Sequence, residues 1–103
     1  MIRAMPPRAL VTRRLPEPAL DRLRAACALD LNEADRPLTR AELLDRVRGA
    51  DALLCQLTDA VDGAVMDAAG PGLKVVANYA VGYNNVDVAA ATARKLPVTN
   101  TPG

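Results

Sequence analysis

Five short apolar runs alternate along the chain with four stretches that carry helix-start signals, and the connections between them are only a few residues long. The runs are Arg8 to Thr12 (RALVT), Ala28 to Leu31, Ala52 to Leu57 (ALLCQL), Leu73 to Ala77 and Pro97 to Asn100. Pro16-Glu17-Pro18 opens the first helical stretch, where Leu20, Leu23 and Cys27 recur at helical spacing. Thr39-Arg40-Ala41-Glu42 has the pattern of a capping box, in which the threonine hydroxyl and the glutamate carboxylate each take the other residue's N–H. Leu43, Leu44 and Val47 then form a buried face, and Gly49 ends that helix. Asp62 is placed to cap a third helix with Val61, Val65, Met66 and Ala69 on one side, stopped by Gly70-Pro71-Gly72. Asp87 is placed to cap a fourth, running through Lys95.

Strands that alternate with helices across short loops must run parallel, joined by right-handed crossovers, with helices on both faces of the sheet. The expected architecture is α/β: one domain over residues 1–103, an open parallel five-stranded sheet of order 2-1-3-4-5 as in flavodoxin-like folds, with the final helix missing. The ALLCQL run is apolar almost throughout and belongs at the centre of such a sheet. Half of the residues are apolar, yet there is no Phe or Trp and only Tyr79 and Tyr83, so the core must be aliphatic. Ligands of open parallel sheets collect beyond the carboxyl ends of the strands. Those ends are Thr12 to Arg14, Asn32, Gln56 to Asp59, Tyr79 to Asn85 and Asn100 to Gly103.

Several classes of function are excluded early. A net charge of +1, without a basic face or aromatic surface for base stacking, argues against nucleic acid. No apolar run approaches the ~18 residues of a membrane span, and the N-terminus lacks a signal-peptide core, so a cytoplasmic location is expected. Cys27 and Cys55 fit neither a disulfide framework nor a metal motif, and both read as reduced core residues. The absence of histidine removes the usual general base and the commonest metal ligand. No catalytic residue and no metal site is assigned.

Gly70-Pro71-Gly72 begins like a dinucleotide fingerprint but fails it. Val75 occupies the third glycine position, and the segment runs from helix into strand rather than from strand into helix. The loop Ala80 to Asn85 has the right context, after a strand and before a helix, where backbone amides and a helix dipole favour an anion. Two readings of it stand: an anion-binding loop, or an ordinary turn in which Gly82 relieves backbone strain and Asn84 or Asn85 bonds its own main chain. Arg13-Arg14 reads as a solvated turn, and Asp59, Asp62 and Asp87 read as caps rather than acid-base groups.

Leu73 to Gly103, with LKVVANYAVGYNNVD, the small-residue helix Val88 to Lys95 and the ending PVTNTPG, resembles the D-isomer-specific 2-hydroxyacid dehydrogenases, in particular the glyoxylate and hydroxypyruvate reductase branch. Upstream, LLCQLTDAVDGAVMDAAG (Leu53 to Gly70) is similar to the preceding strand and helix of that family. The first fifty residues match chiefly in element order.

The resemblance implies a substrate-binding domain that shares its cleft with a dinucleotide-binding domain. Main-chain amides of Val81 and Gly82 would hold the carboxylate of a small 2-oxo or 2-hydroxy acid, and the Gln56-Leu57 turn would line the same cleft. The family's glycine-rich cofactor loop, its substrate arginine and its histidine with a glutamate partner lie downstream of this segment. The expectation is therefore an oxidoreductase whose parent protein uses NAD(H) or NADP(H), while this chain binds neither and is inactive alone. Apolar surface left where an element is missing would favour a homo-oligomer. An autonomous flavodoxin-like binding or self-association module is the alternative. A flavin carrier is disfavoured because Thr12-Arg13-Arg14-Leu15-Pro16 lacks the hydroxyl-rich phosphate loop of flavodoxins.

Overall fold

The computed structural model describes residues 6–82 and 84–101, so Tyr83 of the candidate loop and Pro102-Gly103 of the PVTNTPG ending lie outside the described residues. The elements follow in strict alternation: β1 (Arg8–Val11), α1 (Glu17–Ala26), β2 (Ala28–Leu31), α2 (Arg40–Arg46), β3 (Ala52–Gln56), α3 (Gly63–Ala69), β4 (Val75–Tyr79), α4 (Val88–Ala93) and β5 (Val98–Asn100). The strands form one sheet of order β2-β1-β3-β4-β5, the flavodoxin-like order expected. Every pairing is parallel, with Leu10 opposite Leu53, Leu53 opposite Val76 and Val76 opposite Val98 across the middle of the sheet.

Side chains alternate between the two faces with the period of the strands. Leu10, Leu53, Cys55 and Val76 point to one face, where they pack with Leu43 and Val47 from the α2 end, Val65, Met66 and Ala69 of α3, and Ala91 of α4. Val11 and Leu54 point to the other, against Leu15 and Leu20, with Leu23 of α1 alongside. Fully burying one such side chain stabilises the fold by roughly 1.5–3 kcal/mol, and the core is filled by aliphatic side chains without Phe or Trp. Helix α1 covers only part of its face. Beyond it Leu54, Ala77, Tyr79 and Thr99 line a shallow hollow of about 130 Å³ over β3, β4 and β5. Among the described residues no helix is long and apolar enough to cross a membrane.

The helix signals act as expected at three starts. Thr39 accepts from the Glu42 N–H while the Glu42 carboxylate takes the Thr39 N–H, closing the capping box. Asp62 and Asp87 accept from the N–H groups of Val65 and Ala90. Glycine ends two helical segments with positive φ, at Gly49 (74°) and Gly70 (90°).

Five expectations need correction. Helix α4 ends at Ala93 instead of running through Lys95, which has a positive φ of 54° beyond the Arg94 cap. Strand β4 begins at Val75 and reaches Tyr79, two residues later than the apolar run suggests, because the Leu73 N–H closes the preceding turn on Gly70 and the ladder pairs Gln56 with Tyr79. Val61 is not in α3 but in a lone bridge to Val86 before the cap. Cys27 has left α1 in an extended conformation and is only half-buried, whereas Cys55 is fully buried; both thiols are free. Asp59 caps no helix, for reasons that belong to the sheet edge.

Candidate functional site

The carboxyl edge of the sheet is built from side-chain hydrogen bonds between strand ends. At the end of β3 the chain turns, and the Asp59 N–H donates to the Gln56 carbonyl at 2.9 Å. The buried Asp59 carboxylate receives the Gln56 N–H at 2.8 Å and the Thr12 hydroxyl at 2.5 Å on one oxygen, Oδ2. A carboxylate out of contact with water requires such donors, and these fasten β3's end to β1's. Thr12 is fastened in turn: its N–H donates to the Leu54 carbonyl, and its own carbonyl accepts from Asn32 Nδ2 at 3.0 Å.

Asn78 and Asn85 join this edge to the loop after β4. Asn78 sits within an otherwise apolar strand and is fully buried. Its Nδ2 donates to the Gly82 carbonyl and to Asn85 Oδ1, both at 2.9 Å. Asn85 Nδ2 lies 3.0 Å from the Gln56 carbonyl, 2.9 Å from the Asp59 carbonyl and 3.1 Å from Asn78 Oδ1. The amide orientations follow from chemistry, since main-chain carbonyls only accept and must face the NH₂ groups. The two loops therefore hold each other, and the Val61–Val86 bridge, with Val61 donating to the Asn85 carbonyl and Asp87 to the Val61 carbonyl, continues the clasp. Cys55 lies beneath it, its thiol 3.4 Å from Asn78 Oδ1. Burial first, then the negative charge of Asp59, pushes that thiol up to about 12, so it is an inert core group rather than a nucleophile.

The loop after β4 is fixed through its carbonyls. The Ala80 carbonyl accepts from the Thr101 N–H at 3.0 Å, the Val81 carbonyl from Asn100 Nδ2 at 2.6 Å, and the Gly82 carbonyl from Asn78. Peptide planes are trans, with N–H opposed to C=O. With their partner carbonyls drawn toward the end of β5, the Val81 and Gly82 N–H groups face the other way. Among the described residues neither donates to any acceptor. Gly82 does not have positive φ, and a Cβ built on it meets nothing within 4 Å among them. Relief of backbone strain therefore does not account for this glycine, and Asn85 bonds other segments rather than its own main chain.

The residues singled out by resemblance lie together at this edge. Gln56 ends β3, next in sequence to Leu57, while Val81 and Gly82 follow β4, the neighbouring strand. Leu57, Tyr79 and Val81 are 66%, 46% and 67% exposed, an apolar rim around the two loops. Arg13 and Arg14 share an open depression with Gln56 and pair with acids, Arg13 with Asp35 at 3.4 Å and Arg14 with Glu17 and Glu33. Thr12, Asp59, Asn78, Asn85 and Asn100, which hold the site in shape, are not evident from spacing. Asn78 alone left a trace, as an amide in a strand where Asn is disfavoured and where burial demands hydrogen-bond partners. The Gly70–Gly72 turn joins α3 to β4 at the opposite, amino edge.

Comparison with known proteins gives a consistent picture. The chain is 49% identical over 98 residues to a glyoxylate reductase of Thermofilum pendens, covering 94% of this chain and 29% of that protein. It is 47% identical to a glyoxylate reductase of Thermococcus gammatolerans, covering 95% and 29%. Among solved structures, a D-isomer-specific 2-hydroxyacid dehydrogenase described as putative and NAD-binding, from a Polaromonas species, superposes with a TM-score of 0.88 at 32% identity, covering 97% of this chain and 31% of that one. A Thermus thermophilus protein superposes with a TM-score of 0.81 at 48% identity, covering 93% and 30%. The chain thus spans about a third or less of the relatives it matches. Residues 9–103 match the catalytic-domain model of the D-isomer specific 2-hydroxyacid dehydrogenases, and the chain belongs to that family.

Proposed function

We propose that this chain is the substrate-binding part of an NAD(P)-dependent D-2-hydroxyacid dehydrogenase such as a glyoxylate or hydroxypyruvate reductase. The Val81 and Gly82 N–H groups hold the carboxylate of a small 2-oxo acid, and Gln56 and Leu57 line the same cleft. The observation that carries this reading is that the Val81 and Gly82 N–H groups donate to no acceptor among the described residues, while the Ala80, Val81 and Gly82 carbonyls are all engaged and neither positive φ nor a described neighbour calls for glycine at 82. Two successive amides offer a carboxylate charge-assisted bonds without any side chain. The exposed rim of Leu57, Tyr79 and Val81 supports a cleft closed by a further domain.

Reduction of a 2-oxo acid also needs a hydride donor and an acid for the developing alkoxide. The groups on this chain's carboxyl edge supply neither, so it orients the substrate while the cofactor, NAD(H) or NADP(H), and the proton donor come from elsewhere in the parent protein. This chain alone is inactive. A cytoplasmic location and self-association through exposed apolar surface complete the reading, and light scattering tests the latter; a strictly monomeric species at all concentrations would count against it.

Gly82→Val in the full-length protein tests the site. A β-branched side chain beside the two amides blocks approach of the carboxylate, so the KM for glyoxylate should rise; an unchanged KM would sink the assignment.

A further inference from the structure

Asn100 ends β5, the edge strand, and its side chain does not serve the sheet. Its Nδ2 crosses to the Val81 carbonyl at 2.6 Å. One residue on, the Thr101 main-chain N–H takes the Ala80 carbonyl at 3.0 Å. These two bonds act on successive peptide planes, and a trans plane cannot turn its C=O without turning its N–H. The plane held by Thr101 carries the Val81 N–H, and the plane held by Asn100 carries the Gly82 N–H.

We propose that Asn100 is a positioning residue that aims the Gly82 N–H at the substrate carboxylate by holding the Val81 carbonyl, while the Thr101 main chain does the same for the Val81 N–H. The proposal rests on the carboxylate reading of the loop and adds a division of labour within it. Consecutive carbonyls in an extended strand point to opposite sides. Here the Ala80 and Val81 carbonyls are both drawn to the end of β5, so the side-chain amide maintains an arrangement that a regular strand would not. A preset pair of donors loses little freedom when the anion binds.

The test uses the ¹⁵N-labelled chain with and without glyoxylate, in wild type and in Asn100→Leu, which keeps the bulk and removes the donor. Residual dipolar couplings read each N–H direction without ligand. The Gly82 coupling should change in the variant while the Val81 coupling stays. On adding glyoxylate, the shift of the Gly82 amide should be lost and that of Val81 retained, with affinity about tenfold weaker for one missing charge-assisted bond. A merely structural role would move both amides or neither. If Asn100→Leu does not fold, Asn100→Ala gives the same pattern. An unchanged Gly82 coupling together with an unchanged titration overturns the role of Asn100. Wild-type amides that ignore glyoxylate overturn the carboxylate reading instead, and the couplings still decide what Asn100 orients.

Discussion

Asn78 Nδ2 donates to Asn85 Oδ1 at 2.9 Å, and Asn85 Nδ2 lies 3.1 Å from Asn78 Oδ1 in return, across the base of the loop that separates them. Each amide also satisfies a main-chain carbonyl: Gly82 for Asn78, and both Gln56 and Asp59 for Asn85. The pair is thus a junction between the turn after β3 and the loop after β4, the two segments that carry the candidate site. Asn85→Leu removes the donor for two carbonyls and one partner of Asn78. An unsatisfied buried group costs about 1–3 kcal/mol, so the variant should lose about 2–3 kcal/mol in urea unfolding. A loss within the ~0.5 kcal/mol of an ordinary surface change would show that water replaces the clasp.

The Thr12–Asp59 contact allows a separate test of the sheet edge. Thr12→Val preserves shape and removes the hydroxyl, leaving the buried carboxylate with the Gln56 N–H as its remaining described donor on Oδ2. Hydrogen bonds to charged groups contribute about 1.5–3 kcal/mol, and the loss of stability should fall in that range. The amide shift of Gln56 should move with it, because the turn it closes is held by the same oxygen. A shift confined to residues around β1 would contradict the coupling of the two strand ends.

Gly82 and Gly70 make opposite predictions for the same substitution. At Gly70, φ is 90° and ψ −176°, so Gly70→Ala forces a Cβ into a positive-φ, extended-ψ conformation essentially reserved for glycine, at a cost of roughly 1–3 kcal/mol. At Gly82 φ is not positive and the space is open, so Gly82→Ala should leave the melting temperature of the chain unchanged. Differential scanning calorimetry on the two variants separates them. A Gly82→Ala as destabilising as Gly70→Ala would restore the view that this glycine serves only its turn.

The elements were legible in the sequence because each rule acts locally. A capping box at Thr39, aspartates before α3 and α4, and a glycine after α2 mark boundaries without reference to the rest of the chain. Parallel strands and right-handed crossovers followed from the short alternating connections, and the order 2-1-3-4-5 from likeness to flavodoxin-like folds. The loop itself was legible as glycine between strand and helix, and its likeness to a family drew attention to Val81 and Gly82. What could not be read is the polar scaffold beneath it, since Thr12 with Asp59 and Asn85 with Gln56 are contacts across strands whose register only the folded sheet defines. Asp59 looked like Asp62 and Asp87, a carboxylate near a turn. Its difference lies in facing a hydroxyl from β1's end instead of a helix start.

Glu42 gives a prediction in pH. Hydrogen bonding to Arg36, then to the Thr39 N–H, lowers its carboxyl from an ordinary 4.5 to about 2. The folded state therefore favours the ionised form, and the contribution is complete above about pH 4.5, where the unfolded carboxylate is also ionised. As pH falls, the unfolded chain takes up the proton first, so stability declines between about 4.5 and 2 and the contribution is gone once the folded carboxyl is also protonated. The Glu42 carboxyl resonance should titrate with a midpoint near 2 in the wild type. Arg36→Gln should raise that midpoint while leaving it below the ordinary value, because the capping N–H remains. A wild-type midpoint at the ordinary value would mean that water, not Arg36 and Thr39, solvates this exposed carboxylate, and the capping box would then hold α2 through the Thr39 hydroxyl alone.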